Sequence, residues 1–212
     1  MQHRTILITG FEPFGGETLN ASWEAAQRLE GWRHGDYAAT TRLLPCAYDA
    51  SVKKVIHEIE TLRPAALLMT GQAARRAVVC VERFAHNLDE ATAPDNDGDL
   101  RRALRISRAA PEWLEASAPA GAIARTMKDA GVPARISRNA GGFVCNHLYF
   151  GALHYLSEKR LAIPAIFIHL PVTPDQTPPG ASAKRMTPAK AAEALRVAAA
   201  AMMDLSKLVE TA

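Results

Sequence analysis

Short β-branched or apolar runs alternate with longer amphipathic ones along the whole chain, and this alternation constrains the fold more than any other feature. Thr5 to Thr9, Ala38 to Leu44, Ala65 to Met69, Ala77 to Phe84, Ala134 to Ser137 and Ile163 to Leu170 read as strands. Between them the spacing predicts helices from a cap at Asn20 or Ser22 to about Leu29, over Asp49 to Leu62, Gly121 to Ala130 and Asn146 to Leu156. A last helix opens at Thr187-Pro188, Thr as cap and Pro in the first turn, and runs to about Leu208. Alternation without a repeat or a linker is the pattern of an α/β fold, a single-domain three-layer α/β/α sandwich with a mostly parallel central sheet. The 212 residues provide for one sizeable core, so residues 1–212 are read as one domain.

Composition excludes several classes of function. The net charge of +3 comes without a basic block, which argues against nucleic acid as a partner. The apolar run near the start, Ile6 to Ile8, is too short for a signal peptide, and no run is long enough to span a bilayer, so neither secretion nor a membrane is expected. Cys46, Cys80 and Cys145 are too few and too scattered for a disulfide framework, and a reducing cytoplasm is the expected compartment.

Chemistry concentrates at predicted strand ends. In Asn139-Ala-Gly-Gly-Phe-Val-Cys-Asn-His147 a Gly-Gly turn delivers Cys145 to the start of a helix. Unpaired N–H groups and the helix dipole there favour a thiolate and can hold an oxyanion. The competing reading is a small buried cysteine after a turn. Phe11 and Phe14 sit in the loop Gly10-Phe-Glu-Pro-Phe-Gly-Gly16, where they either fill core or line an apolar pocket. Glu82 lies among apolar neighbours and must be paired or functional, a surface pair with Arg83 or a Lys being the plainer alternative. His169 ends a core strand, as a base or as a satisfied core residue.

A cysteine-protease site needs a thiolate, an activating His and a group that orients the His; Cys145, His169 and Glu82 are the best candidates. Ser51-Val-Lys-Lys54 matches S-x-x-K without its partner motifs, and Ser182 fails G-x-S-x-G, so a serine nucleophile is not expected. Asp95 to Asp99 lacks the glycine and the final acid of a calcium loop. His147 and His154 have no third ligand at metal spacing. Asn87 to Pro119 has no clear period and is either a functional excursion or an added hairpin.

Seven pieces in order make a more specific pattern: Gly10-Phe-Glu-Pro-Phe-Gly-Gly16, Leu44-Pro45, Gly71-Gln-Ala73, Glu82-Arg83, Pro94-Asp-Asn96, Asn139 to His147, and Ile168-His-Leu-Pro171 with Pro174-Asp-Gln176. In these the chain resembles pyroglutamyl peptidase type I (pyrrolidone carboxyl peptidase), a family of cysteine exopeptidases. The resemblance implies Glu82, Cys145 and His169 as catalytic residues, and Phe11 and Phe14 flanking the substrate ring, with Gln72, Phe143 and Val144 nearby. It implies N-terminally pyroglutamylated peptides as substrates, no cofactor and no metal, and a homo-oligomer, a tetramer or a dimer. Two departures stand out: Arg75 where Gly is usual, and Thr92 where the family carries an active-site Arg. They keep open a weakened member or a related cysteine amidohydrolase acting on another small lactam or amide, and a binding protein without chemistry.

Overall fold

The computed structural model describes residues 3–176 and 185–210, with side chains described to 205. Among these described residues, nine strands and five α-helices follow in the order β1 (Arg4–Phe11), α1 (Ala21–Ala26), β2 (Arg33–His34), β3 (Tyr37–Leu44), α2 (Tyr48–Leu62), β4 (Ala66–Gln72), β5 (Val79–Glu82), β6 (Phe84–His86), β7 (Trp113–Glu115), α3 (Ala120–Asp129), β8 (Ala134–Ser137), α4 (Val144–Glu158), β9 (Ala165–Leu170) and α5 (Pro188–Glu210). Seven strands form one sheet in the order β2-β3-β1-β4-β9-β5-β8. β3, β1, β4 and β9 are parallel to one another, whereas β5 pairs antiparallel to β9 and β8 follows β5 in parallel. The expected mostly parallel α/β sandwich is present, with reversed strands at its margins.

The central strands read as continuous apolar runs because both of their faces are covered. Ile6 and Ile8 of β1 and Leu68 of β4 pack under α1, α3 and α5, while Leu7, Leu67 and Met69 pack under α2 and α4. On the second face α4 lies across α2, and Gly151 permits the approach: a Cβ there would come within 2.8 Å of Val52.

The long segment after β5 forms an added hairpin. β6 pairs with β7, and a further bridge joins Asp89 to Leu104. The segment is fastened to the start of α4. Asn146 is fully buried; its Oδ1 accepts from the His86 N–H (2.8 Å) and its Nδ2 donates to the carbonyls of His86 (2.8 Å) and Leu88 (3.0 Å). Asp95, placed in sequence among rejected calcium ligands, instead caps α2 from a distance. Its Oδ2 accepts from the Tyr48 N–H at 2.9 Å, and its Oδ1 accepts from the N–H groups of Asp97 and Asp99. Ser51 donates to the Tyr48 carbonyl within α2 and is buried, as a chance S-x-x-K match would be. Ser182 lies outside the described residues.

Candidate active site

Strand register brings the site together. Gly71 of β4 pairs with His169 of β9, and His169 lies opposite Cys80 of β5. Two residues along, Glu82 of β5 lies opposite Phe167, on the same face as His169 because side chains alternate. His169 Nδ1 is 2.8 Å from Glu82 Oε1, and both residues are buried. An ionised carboxylate only accepts, so Nδ1 carries the hydrogen and Nε2 is left with its lone pair, the form a general base requires. The plainer sequence reading of Glu82, a surface pair with Arg83, does not hold: Arg83 pairs with Glu115 at 2.7 Å. Glu82 is fully buried between His169 and Arg76, whose guanidinium is 3.1 Å from Oε1.

Cys145 is the second residue of α4 and is partly exposed. Its thiol lies over Gly71, where a Cβ would come within 2.7 Å of Sγ and 2.8 Å of the Phe167 ring. Only glycine leaves this room beside His169. Phe143 caps the helix without a side-chain hydrogen bond, and its carbonyl takes the N–H groups of Asn146 and His147. The N–H of Cys145 points at its own thiol and favours the thiolate, as does the charge of Arg76. Burial and the Glu82 charge act the other way, burial most strongly, and the thiol is pushed up to about 12. Burial thus opposes the thiolate that the position at the helix start favours.

The aromatic residues divide. Phe11 is buried in the core at the end of β1, whereas Phe14 is half-buried, its ring 5.7 Å from that of Phe143. The Phe143 ring also meets the edge of Tyr48 at 5.7 Å. Val144 is fully buried, so it presents backbone rather than side chain to this region. Gln72 follows Gly71; its Oε1 accepts from the Ala21 N–H (2.9 Å) and from Gln176 Nε2 (2.8 Å), which leaves its own NH₂ to donate. Glu12 holds the loop between Phe11 and Phe14, accepting from the N–H of Cys46 and from Asn96 Nδ2.

The two departures have definite places. Arg75 is exposed at the tip of the turn closed by the Arg76 N–H and the Ala73 carbonyl, and its φ is not positive, so this turn does not require glycine there. Thr92 is exposed on the loop beyond Ala91. The Ala91 N–H donates to the carbonyl of Arg101, whose guanidinium binds Asp49, Asp89 and Asp99 and lies 4.5 Å over the Tyr48 ring. His147 belongs to this network, Nδ1 at 2.9 Å from Asp89 and Nε2 at 3.3 Å from Asp49, and is packed rather than metal-binding. No group of three or more His, Cys, Asp or Glu able to hold a metal occurs among the described residues. Sequence reasoning missed Arg76, Asn146 and the Arg101 network, because each joins segments far apart in the chain.

Known proteins resemble this chain along most of its length. A family model described as pyroglutamyl peptidase matches residues 4–205. A pyrrolidone-carboxylate peptidase of Enterobacter sp. (strain 638) is 40% identical over 195 residues, 92% of this chain and 91% of the relative. The crystal structure of pyroglutamyl peptidase I from Bacillus amyloliquefaciens superposes with a TM-score of 0.90 at 36% identity, over 94% of this chain and 95% of that one. A mutant pyrrolidone carboxyl peptidase from the hyperthermophile Pyrococcus furiosus superposes with a TM-score of 0.89 at 30% identity, over 94% and 98%. With a matching family model along nearly its whole length and relatives this similar, the chain belongs to the pyroglutamyl peptidase family.

Proposed function

We propose that this protein is a cysteine exopeptidase that removes an N-terminal pyroglutamyl residue from peptides, with residues 1–212 acting as one catalytic unit. The observation that carries the reading is the thiol of Cys145 over Gly71, a glycine paired in strand register with His169, whose Nδ1 is held by a buried Glu82. Cys145 gives its proton to His169 Nε2 as sulfur attacks the carbonyl carbon that joins pyroglutamate to the next residue. Backbone N–H groups near Cys145 are the donors suited to the oxyanion. His169 returns the proton to the leaving amine, the C–N bond breaks, and a pyroglutamyl thioester remains. His169 then takes a proton from water, hydroxide adds to the thioester, and pyroglutamate leaves as the thiol is restored. Glu82 holds the imidazole and offsets its charge while it is protonated. Phe14 and Phe143 supply the apolar wall for a flat, uncharged ring, and the charged amine of an ordinary N-terminus would be desolvated there at a cost.

The test is release of a fluorescent amine from pyroglutamyl, prolyl and alanyl amides by the wild type and by Cys145→Ser. Cleavage of the pyroglutamyl amide alone, lost in the variant, is expected; equal cleavage of the prolyl amide would sink the specificity. No observation favours the amidohydrolase reading, since the residue that prompted it, Thr92, is exposed and Arg75 fits its turn. We place the protein in the cytoplasm, where a free thiol persists; no described helix is long and apolar enough to cross a membrane. We also propose a homo-oligomer, because Trp113, Ile136 and Leu161 are large apolar side chains left 53%, 46% and 40% exposed. Light scattering that returned a monomer of 22.9 kDa at micromolar concentration would overturn this.

A further inference from the structure

We propose that Arg76 is a positioning residue of the catalytic centre, joining the carboxylate that orients the base to the loop that delivers the nucleophile. The proposal rests on the peptidase reading above. Arg76 ends the turn after β4, and one guanidinium reaches three partners. It is 3.1 Å from Glu82 Oε1, it donates to Ser137 Oγ at the end of β8 (2.8 Å), and it donates to the carbonyl of Asn139 (2.6 Å). Asn139 opens the segment that ends in Cys145. Its Oδ1 accepts from the Gly141 N–H at 2.8 Å, and Gly141 takes φ +90°, so the turn is fixed from its first residue.

The charge of Arg76 matters as much as its reach. Glu82 is fully buried, its Oε1 is shared by His169 and Arg76, and its Oε2 has no partner among the described residues. A buried carboxylate without a cation takes up a proton instead. The other ionisable groups around Glu82 are His169 on β9, Arg135 on β8, Cys80 on its own strand, and Cys145 and Tyr149 on α4. Arg135 is engaged with the Cys80 sulfur at 3.3 Å, and the Tyr149 hydroxyl donates to the Glu82 carbonyl at 3.0 Å. Arg76 is therefore the permanent cation in contact with the carboxylate among the described residues. Its planar fork, which lysine lacks, lets the same side chain hold Ser137 and Asn139.

Loss of this charge removes the cation that favours the charged form of the buried Glu82 carboxylate. The acid limb of kcat/KM must then move to higher pH. A role confined to loop packing would lower kcat at every pH and leave the limb in place.

The experiment compares wild type, Arg76→Gln, Arg76→Lys and Ser137→Ala, all in the full chain. It reads kcat and KM on a pyroglutamyl amide between about pH 5 and 9. Without substrate, it reads the rate of Cys145 alkylation by iodoacetamide. For Arg76→Gln we expect the acid limb about one pH unit higher, kcat down roughly tenfold with KM within about twofold, and slower alkylation. Arg76→Lys should keep the limb of the wild type but not its kcat. Ser137→Ala should lose a few-fold in kcat with the limb unmoved. An Arg76→Gln limb that coincides with the wild type overturns the proposal, whatever happens to kcat. Should that variant fail to fold, full wild-type kcat in Arg76→Lys overturns it. If the wild type itself does not cleave the amide, the peptidase reading fails, and alkylation alone decides the role of Arg76: a rate in Arg76→Gln equal to wild type refutes it.

Discussion

At the scale of single residues, the proposed site combines a thiol disfavoured as thiolate by burial with an imidazole held by a carboxylate. Because burial lifts the Cys145 thiol to about 12, its thiolate fraction grows as pH rises. Alkylation of the free protein should therefore climb beyond pH 8 with no plateau near neutrality, and a plateau between about pH 6 and 8 would instead reveal a preformed ion pair. Glu82→Gln should lower kcat by about 10²- to 10⁴-fold and leave a folded protein with weak turnover; full activity would remove Glu82 from its orienting role. Gly71→Ala is the sharper probe of geometry, because its methyl would collide with both the Cys145 thiol and the Phe167 ring. We expect a loss of about 10²-fold or more in kcat from a displaced nucleophile, with about 1–3 kcal/mol of stability lost, to be read by single-turnover kinetics and thermal melts.

At the scale of elements, the start of α4 is where catalysis and stability meet. α4 carries Cys145, and its first turns are tied to the added hairpin through Asn146 and to Asp89 through His147. Asn146→Ala would strip partners from backbone groups at His86 and Leu88. A loss of about 2–4 kcal/mol is expected by denaturant titration, a large share of what holds a domain folded. A change below about 0.5 kcal/mol would mean that the hairpin does not brace the helix. The extent of α4 was largely legible: the sequence pattern predicts it from Asn146, and it begins at Val144. The hairpin was not, because the pairing of Phe84–His86 with Trp113–Glu115 spans a segment without a period. Glu82 was legible as a problem, a charge among apolar residues, but its solution required another strand and the turn after β4.

At the scale of the whole molecule, charge on one face links the segment after β6 to the helical layer. Arg101 gathers Asp49, Asp89 and Asp99 beside His147, and its hydrogen bond holds the Asp49 carboxyl below the usual carboxylate range. A carboxyl depressed in the folded state adds stability that is present above its unfolded value near 3.8 and is lost as pH falls through the lower folded value. Arg101→Met should lower the melting temperature at pH 7, and the gap from wild type should narrow as the medium is acidified below about pH 4. A gap that stays constant into acid would show that Arg101 acts by packing on Tyr48 rather than by charge.

The sequence by itself determined the alternating α/β pattern and the burial of the central strands, and it offered three candidates for a nucleophile, base and orienting acid, because periodicity and residue chemistry are local properties. It also carried the ordered motifs of the family. Only the tertiary structure decided that β5 runs against β9, and this reversal brings Glu82 to His169 across the sheet. The same folding sends Phe11 into the core, leaves Phe14 to face Phe143, and places Arg76 between the acid and the nucleophile loop. Strand direction and side-chain burial follow from the energy of the assembled layers, and no window of sequence contains that energy.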